Sequence, residues 1–153
     1  MMEQHKNHPN PYGLLAGMIG LSFIAMYILM YAMVDTFGNV FNSINQVYMA
    51  GLMAAPMVLI ELALMRRMYP DNRLNAIIAG VAVVALIGFF LAIRTQALVT
   101  DTQFLRSMIP HHSGAILMCS KSSIQGKELK ALCQNILKSQ DEEIRQMRRM
   151  LEK

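Results

Sequence analysis

Three long stretches of this chain lack the alternation of polar and apolar positions that a half-buried element shows. Gly13 to Val34 runs for 22 residues without a formal charge, Val47 to Met65 for 19 with Glu61 as its only charge, and Leu74 to Ile93 for 20, again uncharged. A helix needs about 20 apolar residues to cross a hydrocarbon core of roughly 30 Å, so each run predicts a membrane-spanning helix. Past Arg94 the pattern changes. Thr100-Asp101-Thr102-Gln103 reads as a capping box, with a hydroxyl at the N-cap and a glutamine three residues on, and it predicts a helix over about 101–123. Gln125-Gly126 supplies a turn, since glycine can take the left-handed conformation that ends helices. A second helix is expected from about 127 to 151, with Leu129, Leu132, Cys133, Ile136, Leu137, Ile144, Met147 and Leu151 on its apolar face and Gln140 interrupting it.

The expected architecture is therefore all-α. A polar tail (residues 1–12) precedes a three-helix transmembrane region (13–94, with spans near 13–34, 47–65 and 74–93) and a C-terminal helical hairpin (95–153). Two helices of this size bury little core alone, so the hairpin is expected to complete a four-helix bundle by self-association as a dimer or higher homo-oligomer, or to lean on the membrane helices. The first run exceeds the roughly 7–15 apolar residues of a secretory core, and Asp35-Thr36-Phe37 rather than a small-x-small site follows it. It is read as an uncleaved anchor.

Composition sharpens this picture. Hydrophobic residues make up 54% of the chain and charged ones 16%, too apolar for an average soluble surface and suited to a lipid bilayer. Lys and Arg in short loops set orientation. Arg66, Arg67 and Arg73 sit between the second and third runs, none lies between the first and second, and the tail has Lys6. This places the tail and the Arg-rich loop in the cytoplasm, and the hairpin on the periplasmic face of an inner membrane, although Arg94 and Arg106 pull the other way. From Arg94 onward ten basic and six acidic residues are interspersed, which is a solvated helix surface and not a nucleic-acid groove.

Candidate chemistry gathers in Met108-Ile-Pro110-His111-His112 and its surroundings. Met108 lies three and four residues before the two histidines, and Met118 and Cys119 each lie seven after one of them, so these side chains can share a helical face. Pro110 removes a backbone donor and is expected to open the helix there. If the hairpin folds back at Gln125-Gly126, positions whose numbers sum to about 251 face each other. His111 then meets Gln140, Met118 meets Cys133, and Met147 approaches Phe104 and Met108, with Met150 one turn beyond. Thioether sulfur favours Cu(I), and imidazole suits copper, zinc, nickel or iron; zinc normally takes Cys, His or carboxylate. A di-iron bundle would need Glu-x-x-His, which is absent from the sequence. Against this stands the plainer reading, in which methionines on an apolar face fill a core and adjacent histidines are surface polar residues.

Residues 101–153 resemble the family of helical, ferritin-like domains of formerly unknown function marked by a Met-Ile-Pro-His-His signature. The pieces that match are Phe104, the Met108-Ile-Pro-His-His-x-Gly-Ala-Ile-x-Met118 stretch and Gln140-x-x-Glu143-Ile144-x-x-Met147. The apolar half is similar to the family's membrane-anchored branch in Met26-Tyr-Ile-Leu-Met30-Tyr31 and Val47-Tyr-Met-x-x-Leu-Met-x-Ala-Pro-Met57. The resemblance implies copper held by His111, His112, Met108, Met118 and Met147 in periplasmic copper tolerance; copper sequestration or handover is the expected role, and Met150, one turn beyond Met147, is a further candidate ligand by position. The chain departs from the usual pattern at Ser113, where Gln is common, and at Cys119, where Ala is.

Cys119 and Cys133 fall nearly opposite each other on the hairpin. Buried thiols are the first expectation, a disulfide the second, and a thiolate ligand a third. In the apolar runs, Met49, Met53, Met57, Glu61 and Met65 recur every four residues, as do Met18, Ser22, Met26 and Met30. Helix-to-helix packing is the favoured reading over a Cu(I) relay; Glu61 either faces that stripe or reaches the interface. His5 and His8 form at most a weak site. No nucleophile–base pair or cofactor loop is evident, so no enzyme activity is expected. The rival readings are an interaction protein whose hairpin docks a partner and a metal-dependent redox enzyme.

Overall fold

The structure, a computed structural model, describes residues 10–152; the tail histidines His5 and His8 lie outside them. Five α-helices follow in order: α1 (Pro11–Leu29), α2 (Ile44–Leu64), α3 (Asn72–Thr95), α4 (Asp101–Lys121) and α5 (Lys127–Leu151), with short 3-10 turns at Met30–Met33, Phe37–Asn39 and Arg66–Met68. Each apolar helix starts a few residues before its uncharged run, because a polar residue caps it. Asn10 accepts from the amide of Tyr12, Ser43 from that of Gln46, and Asp71 from those of Arg73 and Leu74, each satisfying a backbone donor that has no partner inside the helix. With the turn that continues α1, three helices are long and apolar enough to cross a membrane.

Small residues let α2 approach its neighbours closely. Ala50, Gly51, Ala54 and Ala55 are buried on α2, and the Phe89 ring occupies the space where a Cβ on Gly51 would sit. Without a hydrophobic driving force between helices in lipid, such close backbone approach is what holds them. Below this seam Leu15, Val58, Leu62, Tyr69 and Ala82 form one core cluster. The four-residue methionine row of α2 points elsewhere: Met49, Met53 and Met65 are 39–43% exposed. Met57 and Glu61 of the same row are half-buried, and on α1 Met18 packs against the core cluster as the packing reading has it. Glu61 accepts a hydrogen bond from the Tyr69 hydroxyl at 3.1 Å, near the end of α2. Burial, then this bond, push the Tyr69 phenol above its ordinary range.

α4 and α5 form the hairpin, and several local expectations change. α4 stays helical through Pro110, which is itself buried. Gly126 is not left-handed. It caps α5 in an extended conformation, and α4 ends at Ser122, also extended. The chain reverses through residues 122–126 without needing a positive φ. Cys119 and Cys133 are joined as a disulfide with Cα atoms 5.3 Å apart, so the expectation of buried thiols, and that of a thiolate ligand, give way to the staple. Ile109, Ile144 and Met147 make the hairpin core, with Phe41, Leu105 and Met108 packed against it.

The hairpin leans on the apolar helices through α4 and the first loop. The Gln103 side chain does not close the capping box. Its Oε1 accepts from the amide of Ile44 at 2.8 Å, at the start of α2, leaving Thr100 to cap α4 alone. The connector after α3 is pinned as well: Gln96 is left-handed (φ 50°) and accepts from Asn45 Nδ2, while Tyr48 donates to the Ala97 carbonyl at 2.9 Å.

Candidate functional site

The signature segment divides its side chains between two faces of α4. One face turns to α5. His112 is buried, with Nδ1 2.9 Å from the Met108 carbonyl and Nε2 2.6 Å from Oε2 of Glu143. A carbonyl only accepts, so Nδ1 carries hydrogen and Nε2 faces the carboxylate. Both ring nitrogens are thereby occupied. Met108 and Met147 pack in the hairpin core, as the plainer reading of a helical methionine has it, and Met150 is half exposed on the last turn of α5. The proposed ligand set of six is thus not one cluster.

His111 and Met118 occupy the other face. His111 and Met118 stand off this interface because of the direction in which their side chains leave α4; near the turn Cys119 meets Cys133 as the expected pairing has it, and further along His112 reaches Glu143. Turned away from α5, His111 and Met118 line a cavity of about 410 Å³ between the hairpin and the apolar helices. Its wall also includes Met30, Met33, Met49 and Tyr31. These three methionines were missed as site residues, yet topology held the signal. Met30 ends the first span and Met49 opens the second, so both lie beside the first loop, on the side to which the third span delivers the hairpin.

Local sequence explains how α4 is held against this mouth. Gly114 is buried, and a Cβ there would stand 3.3 Å from the Met33 carbonyl, so glycine permits the turn and the helix to touch. Ser113, fully buried, accepts from the amide of Asp35 at 2.9 Å and from Asn39 Nδ2 at 3.2 Å. Ser113 is therefore a docking point for the first loop. From α5, Arg148 donates to the Gly38 carbonyl and to Asn39 Oδ1, and lies over the Phe41 ring at 5.9 Å from its centre.

None of the described residues that line the cavity carries a formally charged side chain. Among the described residues no group of three or more His, Cys, Asp or Glu gathers as for a metal ion. A hard divalent cation would therefore find few of its usual ligands here, whereas thioether and imidazole suit a soft monovalent one. Asn45 also lines the cavity, and its Oδ1 is buried without a hydrogen-bond partner.

Residues 91–151 match the family described as Domain of unknown function (DUF305). Over 138 residues the chain is 33% identical to "Uncharacterized protein L153" of Acanthamoeba polyphaga mimivirus, covering 88% of this chain and 89% of that protein. No solved structure matches. The similarity runs through the apolar helices as well as the hairpin, and the chain belongs to the family of this mimivirus protein, with the DUF305 domain as its C-terminal part.

Proposed function

We propose that the protein is a membrane-anchored copper-binding protein of the ferritin-like signature family, which sequesters Cu(I) or hands it over on the outer, periplasmic face of an inner membrane. The observation that carries this reading is that His111 and Met118, an imidazole and a thioether of the signature segment, open onto one uncharged cavity. The donors fit the ion, since soft sulfur favours Cu(I) over zinc or magnesium. Copper is cargo here, not a resident catalyst, and the protein is not an enzyme.

Charge and redox chemistry both support this orientation. The loop with Arg66, Arg67 and Arg73 joins α2 to α3, at the end of these helices away from the hairpin, and positive loops favour the cytoplasm. The Cys119–Cys133 bond suits an oxidising compartment on the opposite side. A second copy would complete a four-helix bundle over α5, where Leu129 and Leu132 are half exposed.

The test is competition for Cu(I) between the detergent-purified full chain and a chromogenic chelator, with ascorbate as reductant so that the disulfide stays closed. Stoichiometric binding that weakens in a His111→Ala variant supports the reading. Absence of binding by the wild-type chain sinks it and brings forward the interaction protein, for which the same exposed leucines would be the docking face.

A further inference from the structure

The methionines of this chain fall into two physical classes. Met147 is 9% exposed and sits with Met108 in the hairpin core, where a flexible thioether fills space. Met33, Met49 and Met118 are 51%, 39% and 53% exposed, and with the half-buried Met30 they line the cavity that His111 also faces. Core filling does not account for four thioethers drawn from three separate elements to one opening. We propose that Met30, Met33, Met49 and Met118 together with His111 form a composite site for a soft monovalent cation, Cu(I) or Ag(I), shared between the apolar helices and the hairpin.

The contacts that assemble the seam bear directly on this site. Ser113 and Gly114 lie between His111 and Met118 in sequence and carry the docking of α4 onto the 30–39 segment. Gln103 fixes α4 to the first turn of α2, from which Met49 projects one turn later. The ligand set is therefore complete only while the hairpin is docked, and bound metal ties the two parts of the chain together. Asn45 Oδ1, an acceptor without a partner in the same wall, is of the kind that takes the second N–H of a metal-bound imidazole. Thioethers hold no proton to release, so four of the five donors bind without the deprotonation that thiolate sites require.

This inference rests on the copper reading but fails separately from it. Cu(I) competition is measured on the full chain in detergent for the wild type, for Met30→Leu/Met33→Leu/Met49→Leu, and for Met26→Leu/Met53→Leu, whose positions lie in the same spans outside the cavity wall. Leucine keeps the volume and removes the sulfur. Affinity should fall at least about tenfold in the triple variant, the lower bound for losing even a supporting partner of a metal ligand, and should hold in the control. In parallel, wild-type protein with labelled methionine methyl groups is titrated with Ag(I), and the signals of Met30, Met33, Met49 and Met118 should move while those of Met26 and Met53 do not. This second readout decides the matter even where the triple variant folds poorly. Wild-type binding with the three membrane-side methyl signals unmoved overturns the composite site and leaves a copper site elsewhere in the hairpin. Absence of wild-type binding removes both ideas together.

Discussion

Nε2 of His112 lies 2.6 Å from a carboxylate oxygen of Glu143, across the α4–α5 interface. The same ring donates from Nδ1 to the Met108 carbonyl, so each nitrogen has a structural partner and the ring orientation is fixed. Its neighbour His111 is exposed and lines the cavity, its ring edge-on to that of His112 with centres 6.1 Å apart. Two adjacent histidines thus have different work, one joining the hairpin and one facing the cavity.

The expected consequence separates the two residues experimentally. His112→Ala should lower hairpin stability by about 1–2 kcal/mol, because a buried side chain and its hydrogen bonds are lost together. Glu143→Gln should cost less, below about 1 kcal/mol, since the carboxylate is about half exposed and the amide can still hydrogen-bond Nε2. Hydrogen exchange of α5 reports both. Cu(I) affinity should be unchanged in Glu143→Gln; a large loss there would mean that the His112 pair belongs to the metal site after all.

The disulfide offers a second measurement. Cys119 and Cys133 close a loop with a sequence separation of 14, and a loop of this length contributes about 3 kcal/mol by restricting the unfolded chain. Since a two-helix hairpin buries little core, opening the bond should expose much of α5 to exchange. The Cys119→Ser/Cys133→Ser variant should reproduce the effect of reduction. An oxidised chain that takes up two equivalents of a thiol-alkylating reagent under denaturation would show that the pair is not bonded.

Long-range uniform patterns were legible in the sequence; side-chain direction was not. The three apolar runs and the start of α4 at Asp101 and of α5 at Lys127 follow from length, charge and capping residues that act locally. The division of the signature segment depends on which neighbour each face of α4 meets. Periodicity cannot supply that when α5 lies on one side and the Met30–Met33 turn on the other. Spacing placed His111 and His112 on one face, but adjacent residues on a helix stand about 100° apart, enough to send them to different partners. Gly126 and Pro110 show the same limit. Their intrinsic preferences permit a left-handed turn and a broken helix, yet the 122–126 reversal and the packing of α4 require neither.

Arg148 joins the end of α5 to the first loop through the Gly38 carbonyl, Asn39 Oδ1 and the face of Phe41. Arg148→Ala should therefore loosen that loop more than an exposed ion pair would, by about 1–3 kcal/mol for bonds that involve a charged donor. Arg148→Lys should restore only part, because one ammonium can reach the two acceptors that a single guanidinium nitrogen serves but lacks the flat face that lies over Phe41. Exchange at the amides of Asn39 and Val40, which close the 3-10 turn, should rise in the order wild type, lysine, alanine. Equal exchange in all three would show that the turn holds itself without α5.

Gly114 gives the sharpest test of docking, because the variant adds one methyl group and no charge. A Cβ at this position would stand 3.3 Å from the Met33 carbonyl, closer than ordinary contact, and the atom in its way is backbone, not the end of a flexible side chain. The Met30–Met33 turn must then retreat from α4. Alanine is the better helix former by about 1 kcal/mol, so α4 on its own should gain while the seam loses. Overall helicity in Gly114→Ala should be kept, and protection of the Asp35 amide, which donates to Ser113, should fall. Retreat of the turn also carries Met30 and Met33 away from His111 and Met118, so Cu(I) affinity should drop with that protection. Loss of protection at Asp35 with affinity intact would show that the hairpin binds metal without the turn, whereas loss of both with helicity intact places the seam itself at the centre of binding.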